Sequence, residues 1–269
     1  MPRMHRFSFR FIPVIGAGAL LAGIASFPQV MAEPAAASCA APFETTRLVQ
    51  PLPRMAGRIA RRAPITIVAI GSSSTAGAGA SSSAASYPAR LELELRQQFP
   101  RLVIDVLNRG ANGEETPEMV ARFDRSVIVE NPDLVLWQVG TNSVLQDREL
   151  VGHAPLIHEG LVLLKATGAD VVLIDPQYAP KVLAKPDAHR MVDLISLAAK
   201  RDNVDLFHRF AIMRHWHETK LVPFEEFLSP DLLHMNDWSY ACLAKLLAGT
   251  IVEASTRAPV TAGAPIARN

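Results

Sequence analysis

The stretch Ile65-Thr66-Ile67-Val68-Ala69-Ile70 is an almost unbroken, mostly β-branched run that stops at Gly71. A strand with one wet face alternates apolar and polar residues. This one does not, so both of its faces need cover. That requirement points to parallel strands enclosed between layers of helices. The rest of the chain reads accordingly. Strand-like segments at Leu102–Asn108, Asp133–Val139, Asp170–Ile174 and Val204–Phe207 alternate with helical patterns at Tyr87–Phe99, Thr116–Glu130, Leu150–Thr167 and Lys185–Arg201. Pro88 lies near the start of the first of these helices, and Thr116-Pro117-Glu118 opens the second as cap, first-turn proline and first-turn acid. Asn236 caps a last helix, along which Leu243, Leu246, Leu247 and Ile251 form an apolar stripe. Right-handed βαβ units follow, giving an α/β three-layer sandwich: a central, mainly parallel sheet of about five strands with helices on both faces.

This domain is placed at residues 63–254. Ahead of it, Arg3, Arg6 and Arg10 precede an apolar stretch, and Val30-Met31-Ala32 offers small residues for cleavage, the layout of a secretory signal peptide over residues 1–32. An uncleaved membrane anchor is the alternative. The stretch is short for a span and is interrupted by Pro13, Gly16, Gly18 and Gly23. Export to the periplasm or beyond is therefore expected, with no stable membrane insertion after cleavage. Residues 33–62 read as an N-terminal arm with little regular structure, and 255–269 as a disordered tail. Cleavage after Ala32 removes three arginines and no acid, taking the formal net charge of +1 slightly negative. No basic stripe is present, which argues against nucleic acid as a partner. Cys39 and Cys242 are the chain's two cysteines. In an oxidising compartment they can pair and tie the arm to the last helix, or stay as buried thiols.

In an open parallel sheet, ligands bind beyond the carboxyl ends of the strands. There the first three strands are followed by Gly71-Ser72-Ser73-Ser74-Thr75, by Arg109-Gly110-Ala111-Asn112-Gly113 and by Gly140-Thr141-Asn142-Ser143. If these strands are neighbours, a hydroxyl, a glycine N–H and a side-chain amide converge on one rim. Ser229-Pro230-Asp231-Leu232-Leu233-His234 adds a carboxylate and an imidazole three residues apart, just before the last helix. A hydroxyl nucleophile needs a base, and the base needs an orienting acid; acyl transfer also needs donors for an oxyanion. Residue chemistry alone does not choose among Ser72, Ser73 and Ser74. The Ala76–Ser86 segment, nearly all Ala, Ser and Gly, reads either as a flexible loop or as one that lets substrate approach the serines.

Four blocks in this order resemble the SGNH hydrolase superfamily, the GDSL-type esterases and lipases, over roughly Pro64 to Ile251. The resemblance implies a flavodoxin-like sandwich and a nucleophile at Ser73, where the family's Gly-Asp-Ser-x-Thr reads Gly71-Ser72-Ser73-Ser74-Thr75. It further implies oxyanion donors at Ser73, Gly110 and Asn142, and Asp231 and His234 as the acid and base of the triad. Two positions depart from the family pattern: Ser72 and Ser143 each stand where it has an aspartate.

The function implied is a secreted serine esterase that hydrolyses a small-molecule or polysaccharide-linked O-acyl ester, without cofactor or metal. His215 and His217 lack a third partner at metal-ligand spacing. Two alternatives share the fold: an O-acyltransferase acting on an envelope polysaccharide, and a non-catalytic carbohydrate-binding envelope domain. The aromatic-rich stretch Phe207–Leu228 reads as a helix packed on the sheet or as a pocket wall.

Overall fold

The structure, a computed structural model, describes residues 39–257, so the expected signal peptide and most of the C-terminal tail lie outside the described residues. Five strands form one sheet: β1 (Ile65–Gly71), β2 (Ile104–Gly110), β3 (Leu134–Gln138), β4 (Asp170–Ile174) and β5 (Asp205–Phe207), in the order β2-β1-β3-β4-β5. Every pairing is parallel, and Gly71 sits directly opposite Gly110. The unbroken apolar run is explained by burial on both faces: Ile67, Val68, Ala69 and Ile70 of β1 are fully buried, as are Leu134 to Trp137 of β3.

Helices cover the two faces in two groups. The last helix, Asp237–Thr256, packs on Tyr87–Gln98 and Pro53–Arg61, while His153–Ala166 packs with Ala188–Arg201 and Thr116–Val120. Right-handed crossovers dictate this division, because the chain leaves β1 toward β2 on one side and leaves β3 toward β4 on the other. The connections therefore diverge between β1 and β3, and the carboxyl ends of those two strands flank the crevice where such sheets take ligands.

The N-terminal arm differs from expectation. Residues Phe43–Thr46 and Pro53–Arg61 are helical, and Leu48, Leu52 and Met55 are core residues. Three aspartates at the amino ends of β3, β4 and β5 hold the arm. Asp133 accepts from Arg54 and Arg58 at 2.8 and 2.7 Å, Asp170 from the Arg54 and Met55 N–H groups, and Asp205 from those of Val49 and Gln50. A Pro-rich composition hid an element whose order comes from tertiary hydrogen bonds. A Cys39–Cys242 disulfide, its Cα atoms 5.1 Å apart, ties the arm to the last helix. The arm thus closes the amino end of the sheet and leaves the carboxyl end as the free rim.

Two further segments are more broken than their patterns suggest. The expected Thr116–Glu130 helix is two short helices, Thr116–Val120 and Phe123–Ser126, followed by a 3-10 turn at Ile128–Glu130. Arg122 interrupts it with φ −116°, and Val127 leaves helical geometry at φ −127°, as β-branched residues do readily. Phe207–Leu228 is not one helix either: it contains Arg209–Arg214, a π-helical turn at His215–Thr219, and Phe224–Phe227. Its aromatics serve packing. Trp216 and Phe227 are fully buried, and His217 stacks on Phe224 at 3.8 Å while its ring nitrogen meets the Val222 carbonyl.

Candidate active site

Beyond β1 the backbone is extended at Ser72, makes a single helical turn over Ser73–Ala76, and exits through Gly77 in the left-handed region. The hydroxyl of Ser73 lies 2.8 Å from Nε2 of His234. On the other side of that ring, Nδ1 lies 2.5 Å from Oδ2 of Asp231. A carboxylate at Nδ1 requires a proton there, which leaves the Nε2 lone pair facing Ser73. The other Asp231 oxygen accepts from the Ser229 hydroxyl at 2.7 Å and from the N–H groups of Leu233 and His234 at 3.0 and 2.9 Å. Burial pushes this carboxyl up, but these hydrogen bonds outweigh it and hold the group well below the usual carboxylate range. Leu232 adopts φ +55° to turn the loop back on itself, and Ser229 N–H closes the loop on the His234 carbonyl at 2.8 Å.

The three serines have separate roles in the geometry. Ser72 and Ser74, each 1% exposed, donate to Oε1 of Gln138 at 3.0 and 3.1 Å. That same oxygen also accepts the Ser72 N–H at 2.9 Å. Gln138 thus occupies the hydroxyls that flank Ser73 and leaves Ser73 to the imidazole. Ser74 further accepts from Arg209, a fully buried arginine whose Nε donates to the Asp175 carbonyl. Burial pushes the Asp175 carboxyl up to about 7 and lowers the Arg209 guanidinium.

The two other rim segments stand close by. A Cβ on Gly110 would fall 2.1 Å from the Ala76 nitrogen, so this position has room only for glycine and lies against the turn that carries Ser73. Its N–H donates to the Asn108 side chain at 2.9 Å. Gly140 takes φ +90°, a conformation glycine adopts freely, and starts the short helix Thr141–Leu145. Asn142, on that helix, donates one amide proton to the Glu114 carbonyl at 2.8 Å and keeps a second. Ser143, buried in place of the family's aspartate, has a hydroxyl with no partner among the described residues. Gln177 joins the segments: it accepts from Thr141 at 3.0 Å and donates to the Leu233 carbonyl at 3.4 Å.

The Ala76–Ser86 segment is pinned. Tyr240 donates to the Ala78 carbonyl at 2.7 Å, and both the N–H and hydroxyl of Ser81 donate to Asp237. The last helix therefore fixes the Ser73 turn and the His234 loop in one frame. A separate groove of about 750 Å³, lined by Leu150, Val151, Leu194 and Leu197, shares no residue with this site.

Residues 38–257 match the model of the non-GDSL lipase-like family. The chain belongs to that family. Its description suits a first block in which Ser72 replaces the aspartate of Gly-Asp-Ser. No curated protein matches the sequence. Among solved structures, a two-domain esterase (CEX) active on acetylated mannans is similar at TM-score 0.65 and 18% identity, over 80% of this chain and 59% of that one. This family member thus spans little more than half of that esterase. Axe2, an acetyl xylan esterase from Geobacillus stearothermophilus, is similar at 0.59 and 20%, over 70% of this chain and 94% of its own. TesA is similar at 0.59 and 19%, over 70% and 99%. These structures share the fold, a three-layer α/β sandwich of the kind that the four blocks implied.

Several residues of the site carried no motif. Gln138 left one signal, an amide at the end of the otherwise apolar strand Leu134-Val135-Leu136-Trp137. Arg209, Gln177 and Glu114 left none, since their positions are set by tertiary contacts rather than by spacing.

Proposed function

We propose that this chain is an exported serine esterase that hydrolyses a carboxylic O-acyl ester through an acyl-enzyme on Ser73. The observation that carries the reading is the continuous hydrogen-bonded path from Ser73 through His234 to Asp231, at 2.8 and 2.5 Å. His234 Nε2 takes the Ser73 proton as Oγ attacks the ester carbonyl carbon, and the carbonyl π pair moves onto oxygen. The tetrahedral intermediate collapses, the bond to the alcohol oxygen breaks, and His234 returns its proton to that leaving oxygen. Water then attacks the acyl-enzyme by the same route, releasing the carboxylic acid and restoring Ser73. Asp231 fixes the imidazole tautomer and stabilises the imidazolium.

The oxyanion is taken by the Ser73 N–H, at the first position of its helical turn, by the Gly110 N–H, and by the free proton of the Asn142 amide. Losing one such donor costs about 3–4 kcal/mol of barrier stabilisation. At Gly110 the oxyanion competes with the neutral Asn108 amide oxygen, a contest that a charged acceptor wins. Neighbours of this fold named for acetylated mannans and acetyl xylan support a short acyl group on a polysaccharide. The Asp231 side chain is 40% exposed, so its end of the hydrogen-bonded path lies at the surface, where a polymer can approach. The apolar leader with its three arginines and the Cys39–Cys242 bridge support export.

The test is hydrolysis of p-nitrophenyl acetate and of acetylated xylan, with parallel labelling by a fluorophosphonate. Ser73→Ala abolishes turnover and labelling, whereas Ser72→Ala and Ser74→Ala remain labelled. Labelling that persists in Ser73→Ala, or an unreactive wild type, refutes the assignment.

A further inference from the structure

Arg122 breaks a helix that its neighbours would otherwise continue, and its guanidinium explains what that break achieves. The side chain is only 9% exposed. Its Nε and Nη2 both engage Oε2 of Glu114, at 2.8 and 2.6 Å, and Nη2 also donates to the Arg109 carbonyl at 2.7 Å. That carbonyl belongs to the same peptide group as the Gly110 N–H. A trans peptide is planar, with its C=O and N–H pointing in opposite directions, so a cation on the oxygen, added to the β1–β2 pairing of this segment, helps fix the direction of the N–H. It also draws electron density toward the oxygen and makes the N–H a stronger donor. Glu114, the other partner of Arg122, holds the Asn142 side-chain amide through its backbone carbonyl. Between these two contacts, residues 111–115 form no helix or strand.

We propose that Arg122 is a positioning residue for the oxyanion site: one buried guanidinium orients the Gly110 N–H through the 109–110 peptide and seats the Asn142 amide through Glu114. The inference rests on the esterase reading above. Arg122 touches no reacting atom. Its effect falls on kcat, because the donors it aligns matter most once charge has developed on the substrate oxygen.

The experiment is a double-variant cycle on folded, disulfide-intact protein, reading kcat and KM for p-nitrophenyl acetate and the melting temperature. Arg122→Gln lowers kcat about 10- to 100-fold with KM changed less than about threefold, a part of the 10²–10³ loss that follows removal of a whole donor. In an Asn142→Ala background, the further loss from Arg122→Gln shrinks several-fold, since one of the two donors it serves is already gone. Glu114→Gln repeats this pattern more weakly and keeps the proposal testable if Arg122→Gln does not fold. Equal fold-losses in both backgrounds, or unchanged kcat in a folded Arg122→Gln or Glu114→Gln variant, overturn the positioning role. If Asn142→Ala itself keeps full kcat while Ser73→Ala is dead, the oxyanion assignment fails and Arg122's role with it. If Ser73→Ala is as active as wild type, the esterase reading itself fails.

Discussion

Replacing Asp231 with asparagine tests the proposed chemistry most sharply, because the surroundings of this side chain dictate how the new amide must sit. Three donors, Ser229 Oγ and the N–H groups of Leu233 and His234, face Oδ1, whereas only His234 Nδ1 faces Oδ2. An amide therefore turns its oxygen to the three donors and its NH₂ to the imidazole. His234 must then accept at Nδ1 and carry its proton on Nε2, pointing at Ser73, where it can no longer take the serine proton. The corresponding change in a serine protease lowers kcat about 10⁴-fold, equivalent to about 5 kcal/mol in the barrier, and we expect a loss of that order. The native backbone contacts survive on the amide oxygen, so the variant stays folded near neutral pH, less stable only by what the charge contributes. His234→Ala is comparably damaging, and the double variant is little worse than either single one, as befits residues that act as a unit. Acid stability supplies a second readout. The Asp231 carboxyl is depressed in the folded state, so its stabilisation is present above the unfolded carboxylate range and fades as pH falls toward the lower folded value. The asparagine variant lacks that loss. Initial rates with p-nitrophenyl acetate and melting curves between about pH 2 and 7 suffice. Wild-type turnover in Asp231→Asn, or cleanly additive losses in the double variant, would show that the base lies elsewhere.

Other perturbations probe the frame around the site. Gln138→Leu frees Ser72 and Ser74 from their shared acceptor; kcat falls at least tenfold, about 1.4 kcal/mol, and a fluorophosphonate labelling rate equal to wild type would refute the role of that amide. Reduction of the Cys39–Cys242 bridge opens a loop spanning 203 residues, a change the chain-entropy model values at about 5 kcal/mol as an upper figure. A melting temperature indifferent to reductant, or two free thiols in non-reducing peptide maps, would remove the bridge from the account. Asp175, raised by burial to about 7, binds its proton more tightly folded than unfolded. It therefore favours folding increasingly as pH falls from about 7 toward the unfolded carboxylate value. Asp175→Asn flattens that slope in urea unfolding between pH 4 and 7, and an unchanged slope contradicts it.

What could be read from the sequence and what could not divide along a physical line. Strands buried on both faces announce themselves as β-branched runs, and Asp170–Ile174 has the bounds its pattern suggests. The rim blocks are legible because a glycine forced by close approach, as at Gly110 beside Ala76, leaves a residue type that nothing else can fill. The N-terminal arm was not legible: its order comes from carboxylates at Asp133, Asp170 and Asp205, far away in the chain, and no local pattern encodes them. The same holds inside the site. Ser72 stands where the Gly-Asp-Ser pattern has an aspartate, and the structure answers with Gln138, 66 positions away, whose oxygen accepts both the Ser72 N–H and its hydroxyl. A charged side chain in that place would be fully buried and would itself compete as an acceptor for the neighbouring hydroxyls. A neutral serine instead donates to the amide, which keeps the turn's hydrogen bonds without a desolvated charge. The substitution at Ser72 is therefore a change of hydrogen-bond polarity with its complement built into β3, and it leaves Ser73 facing His234.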